Sequence, residues 1–147
     1  MRLPLLVFAM AITLGACQPI QKQASKAVPA SEPEQIVQGM VEAFNRHDLE
    51  GFVAAHAENL QVYRFPSQLL TDSREKFRTH YKQLFSDEPT VRVSISPRIV
   101  HGRFVFDRET VTGLKSETAD SALWIYEVKG GKIVRAWAVE LEEGKAD

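Results

Sequence analysis

Residues 91–141 read VRVSISPRIVHGRFVFDRETVTGLKSETADSALWIYEVKGGKIVRAWAVEL, and apolar side chains recur through them at every second position. Val91, Val93 and Ile95 alternate with Arg92, Ser94 and Ser96, the period of a strand that buries one face. Extended stretches follow at Arg103 to Thr112, Ala119 to Lys129 and Lys132 to Leu141. Turn signals stand between them at His101-Gly102, Gly113 and Lys129-Gly130-Gly131-Lys132. This pattern predicts a four-strand antiparallel meander.

Upstream the period lengthens. Ser31-Glu32-Pro33-Glu34 has the spelling of a helix start, with Ser31 as cap and Glu34 three residues on. Ile36, Val37, Met40, Val41 and Phe44 then form the stripe of an amphipathic helix. Asp48 is placed to cap a short second helix that buries Leu49, Phe52 and Val53. Gln61 to Phe65 reads as a brief strand ended by Pro66. Thr71, Asp72 and Ser73 precede a third helix with Phe77, Tyr81, Leu84 and Phe85 on one face, stopped by Pro89. Helices in front and strands behind define an α+β class: a cone-like curved antiparallel sheet wrapped around N-terminal helices.

At 147 residues, 44% hydrophobic and 25% charged, the chain has material for one globular core. Its first residues do not belong to that core. Arg2, the apolar run Leu3 to Leu14 and the small residues before Cys17 have the layout of an export signal. Leu14-Gly15-Ala16-Cys17 resembles the lipobox of bacterial lipoproteins, which implies cleavage after Ala16 and a lipid on Cys17. Acyl chains contribute about 0.8 kcal/mol per buried methylene, enough for a multiply acylated cysteine to hold a soluble domain at a membrane. Residues 1–16 are therefore expected to be a signal peptide, 17–30 a lipidated cysteine with a flexible tether, and 31–147 the domain. Gln18, by resemblance to the sorting rules of Gram-negative lipoproteins, points to the outer membrane, with the domain facing the periplasm.

Cys17 is the only cysteine, so the exported domain has no internal disulfide and no thiolate for a metal. Without Arg2 the balance is 17 basic to 19 acidic residues, which disfavours nucleic acid as a partner. His47, His56, His80 and His101 lack metal-ligand spacing, and there is no HExxH, nucleophile elbow or phosphate loop. No metal or other cofactor is expected.

Three segments carry a family resemblance: residues 37–52 (VQGMVEAFNRHDLEGF), 62–66 (VYRFP) and 124–134 (WIYEVKGGKIV). Together they resemble the nuclear-transport-factor-like superfamily, and within it the SnoaL-like and ketosteroid-isomerase-like proteins. The resemblance implies a cone that hosts isomerases, cyclases, dehydratases, binding proteins and docking modules alike. In the isomerase branch a carboxylate moves a proton while a tyrosine and a protonated acid stabilise an enolate. The tyrosine would match Met40, the base Arg64 or Phe65, and the second acid the vicinity of Trp124. None of these side chains has the required chemistry, so ketosteroid isomerisation is not expected.

Within the cone that the resemblance implies, Tyr63 and Phe65 on one strand and Trp124 and Tyr126 on another are expected to face inward. They either line a pocket for an apolar ligand or fill the interior themselves. Glu109 shares a face with Val105 and Val111. Inside an apolar cavity it would be a usable acid or base; paired with arginine or solvated it would be structural. His56, one turn after Phe52, either lines the cone or is a hydrogen-bonded structural histidine. A small apolar molecule is the expected ligand; an enzyme using Glu109 and an interaction module with a filled cone are the alternatives. On the last two strands Leu123, Ile125, Trp137 and Val139 form a second apolar face, which suits a homodimer.

Overall fold

The structure, a computed structural model, describes residues 30–116 and 120–140. The expected signal peptide, Cys17, the expected tether up to residue 29, residues 117–119 and the residues from 141 onward lie outside the described residues. The elements are α1 (Glu32–Asn45), α2 (Leu49–Ala54), β1 (His56–Arg64), β2 (Gln68–Thr71), α3 (Arg74–Asp87), β3 (Arg92–His101), β4 (Phe104–Thr112), β5 (Asp120–Lys129) and β6 (Lys132–Glu140). Among the described residues no helix is long and apolar enough to cross a membrane.

The helices form where the periodicity places them. In α1, Val37, Met40, Val41 and Phe44 of the predicted stripe are buried, with Ala43 beside them and Ile36 half-buried, each larger buried side chain contributing about 1.5–3 kcal/mol by leaving water. Ser31 is the N-cap, but its side chain makes no capping bond; its backbone carbonyl accepts from the Gln35 amide at 3.0 Å. Asp48 and Ser73 do cap, accepting from the amides of Gly51 and Lys76. In α3, Phe77 is buried, while Tyr81, Leu84 and Phe85 are half-buried against the core.

All the strands join one six-stranded sheet in the order β2-β1-β6-β5-β4-β3. The meander β3 to β6 is as expected, but two features are not. β1 starts at His56, five residues before the predicted strand, and it is continued by the short β2. β1 also pairs with β6 in parallel, so the sheet is antiparallel everywhere except at that seam. From the far edge at β3, three reversals bring the chain back to β1 running in the direction of β1. The early part of β1 escapes period-two reading because exposed Glu58 and Asn59 interrupt it and its register with β6 shifts between His56 and Gln61.

Turns hold the sheet's geometry. Gly130 and Gly131 both have positive φ, 59° and 71°, which is what a tight two-residue hairpin between β5 and β6 requires. At Gly113, φ is 75° and a Cβ would lie 2.1 Å from the Thr90 carbonyl oxygen, so no side chain fits there. Residues of the inner face, among them Leu60, Val62, Val105, Tyr126, Val128, Ile133 and Ala136, pack against the three helices.

Candidate functional site

On β4 the inner-face positions are Val105, Asp107, Glu109 and Val111, and the two carboxylates have different fates. Asp107 is fully buried and held by Arg98, whose Nε and Nη2 donate to its two oxygens at 2.7 Å each. Arg98 also donates to Gln38 Oε1 at 2.8 Å. A register shift between Ile95 and Arg98, at Ser96-Pro97, turns Arg98 to the inner face. Because Asp107 and Arg98 saturate each other, they form a structural pair behind the site.

Glu109 has no such cation. It is 7% exposed, and the Tyr126 hydroxyl donates to its Oε1 at 2.6 Å. Tyr126 stands opposite Val105 in the register, so its ring leans along the sheet, stacked on Trp124 at 6.0 Å, to reach Glu109. Burial pushes the Glu109 carboxyl up to about 7; the Tyr126 hydrogen bond and Arg98 pull it down, and the charge on Asp107 pushes it further up. Burial likewise raises the Tyr126 phenol well above its ordinary value, with Glu109 adding to the effect.

These side chains border a cavity of about 150 Å³ between the sheet and the helix layer. Its helix-side wall is aromatic: Phe44 from α1, Phe52 from α2, and Phe77 and Tyr81 from α3, with Phe52 and Tyr81 centroids 4.6 Å apart. Met40, Val91, Val93, Val111, Leu114 and Ala136 complete much of the remainder. His56, at the start of β1, packs on Phe52 and Phe77 of this wall. Its Nδ1 is 3.0 Å from the Phe52 carbonyl oxygen, and burial lowers its pKa to about 4, so it stays neutral near pH 7. A neutral ring that donates from Nδ1 leaves Nε2 as an acceptor.

Four of the predicted site residues therefore meet at one cavity: His56, Glu109, Trp124 and Tyr126. Tyr63 and Phe65 do not. Leu60 and Val62 take the inner face of β1, which sends Tyr63 to the outer face, where it stacks on Trp137 at 6.0 Å. Phe65 lies past the end of the strand and is 54% exposed. Sequence reasoning missed Tyr81 as a cavity residue and the pairing of Asp107. The parity of Asp107 with Glu109 was a visible signal, but the shift at Ser96-Pro97 concealed its partner Arg98.

A cone of helices on a curved sheet, holding one small apolar cavity with a buried carboxyl, is the class of domain that fold and site define. The SnoaL-like domain family matches residues 37–136, and the chain belongs to that family. No curated protein matches the sequence significantly. Among solved structures, an uncharacterised cystatin-fold protein from Novosphingobium aromaticivorans superposes with a TM-score of 0.67 at 18% identity, over 76% of this chain and 99% of its own. A protein assigned as a ketosteroid isomerase from Kribbella flavida gives 0.66 at 16% identity, over 79% and 82%. An epoxide hydrolase of the LEH-like type from M. tuberculosis gives 0.63 at 16% identity, over 75% and 83%. At these identities the likeness is one of fold. Of the residues that the resemblance would align with the isomerase's catalytic groups, Met40 is a buried wall residue, and Arg64 and Phe65 are exposed away from the cavity.

Proposed function

We propose that the domain binds a small, mostly apolar molecule in its cone and exchanges a proton with it through Glu109. The observation that carries this reading is the Glu109–Tyr126 hydrogen bond at the wall of an apolar cavity. Tyr126 occupies Oε1, which leaves the second carboxyl oxygen for a ligand. With its pKa near 7, Glu109 is present in both forms at neutral pH, so it can accept a proton as carboxylate or donate one as acid. The buried acid is what favours a proton-transferring site over a purely passive binder.

The same proposal keeps the anchor read from the sequence. Cys17 carries the lipid, residues 17–30 tether the domain, and the protein stands at the periplasmic side of the outer membrane. The lipobox spelling Leu14-Gly15-Ala16-Cys17 supports this. It also includes a homodimer through the outer sheet face, supported by the Tyr63–Trp137 stack beside half-buried Leu123, Ile125 and Val139.

Two measurements test the pocket. Binding is read from the fluorescence of Trp124 in a Trp137→Phe background, since the chain has two tryptophans. Proton transfer is read by mass spectrometry as deuterium uptake at the α-carbon of small cyclic ketones in heavy water. Uptake above the buffer rate, reduced about a hundredfold or more in Glu109→Gln while binding persists, is the expected result. Equal uptake with wild type and variant would remove Glu109 from the chemistry.

A further inference from the structure

We infer that the ligand is a neutral molecule the size of a single ring, about six to ten non-hydrogen atoms, with one hydroxyl or carbonyl group directed at Glu109. This rests on the reading of the cone as a small-molecule pocket and adds the class of molecule it takes.

Size comes first. The cavity holds about 150 Å³. An apolar protein cavity of that volume accommodates benzene, whereas pockets for larger ligands span about 300–1,000 Å³. Its walls resist enlargement because the rings brace one another. Phe44 packs on Phe52 at 5.6 Å and on Tyr81 at 6.1 Å, and across the cavity Trp124 lies flat on Tyr126. A second fused ring held wholly within the cavity would press on these contacts.

Charge comes second. Among the described residues no lysine or arginine lines the cavity, and Arg98, behind it, is paired with Asp107. His56 is neutral, with Nδ1 committed to the Phe52 carbonyl. An anion would meet no cation on the described walls and would face Glu109. A cation would have to shed its water to pair with a buried carboxylate, a step whose cost often exceeds the gain. A hydroxyl suits Glu109 in either protonation state, accepting from the acid or donating to the carboxylate, and a carbonyl accepts from the protonated acid.

The test is calorimetric titration of the purified protein with benzyl alcohol, cyclohexanone, 2-naphthol, a four-ring steroid ketone, benzoate and benzylamine. The expected order has benzyl alcohol or cyclohexanone binding at least tenfold more tightly than naphthol, and the steroid not at all. This reverses the trend that added apolar area alone would give. Benzoate and benzylamine are expected at least tenfold weaker than benzyl alcohol. Trp124→Ala should shift the preference toward naphthol, and Leu84→Ala, at a half-buried wall position on α3, provides the same test if the first variant does not fold. Naphthol or steroid binding as tightly as benzyl alcohol overturns the size class and leaves the pocket standing. Tighter binding of either charged probe overturns the neutral class. Silence from every probe overturns both this inference and the pocket.

Discussion

The Tyr126 hydroxyl donates to Oε1 of Glu109 across 2.6 Å, and both residues are buried where β4 and β5 meet the aromatic layer of the helices. The phenol prefers to keep its proton in this setting, so it acts as a fixed donor, and Glu109 is the member of the pair that titrates near neutrality. Changes at Glu109 should therefore be visible in stability as well as in chemistry.

Glu109 binds its proton more readily folded than unfolded, since its pKa is raised to about 7 from the ordinary carboxylate value. Its contribution to stability is complete below about pH 4 and is lost as pH rises through about 7. Relative to Glu109→Gln, the wild type should lose roughly 3 kcal/mol between pH 4 and pH 8. Urea denaturation of both proteins across that range measures it. A difference that does not change with pH would place Glu109 among ordinary carboxylates.

Asp107 depends on Arg98 because it is fully buried and has no access to water. Arg98→Met should cost about 3–5 kcal/mol by stranding a buried charge. Adding Asp107→Leu should recover much of that loss, because an apolar replacement of both partners removes the stranded group. Chemical denaturation of the two single variants and the double variant completes the cycle; a double variant no more stable than Arg98→Met would contradict it.

Lipidation of Cys17 requires its thiol. The wild type is expected in the membrane fraction, and Cys17→Ser as an unprocessed or soluble form. Fractionation followed by intact-mass measurement separates these cases. Normal processing and membrane partitioning of Cys17→Ser would show that Leu14-Gly15-Ala16-Cys17 is not a lipobox.

The outer sheet face carries the Tyr63–Trp137 stack, with Arg135 over the Trp137 ring at 5.9 Å and exposed Ile99 farther along. Light scattering at micromolar concentration should report a dimer, and Trp137→Glu should shift it to monomer by placing a charge in the contact. A wild-type monomer at tens of micromolar would remove the dimer from the proposal.

Local chemistry alone made much of this protein legible. The α1 stripe from Val37 to Phe44, the Asp48 cap, the Gly130-Gly131 hairpin and the shared face of Val105 and Glu109 all depend on residues a few positions apart. Nearest-neighbour periods and turn preferences are sufficient for such features. Register and bulges are different, because a single-residue shift sends every following side chain to the opposite face. Tyr63 points outward because Val62 aligns with Ala136, more than seventy residues along the chain. Arg98 meets Asp107 because the strand slips at Ser96-Pro97. The acidity of Glu109 was decided last of all, by rings from three helices that exclude water from a carboxyl on the sheet, and no window of sequence contains them together.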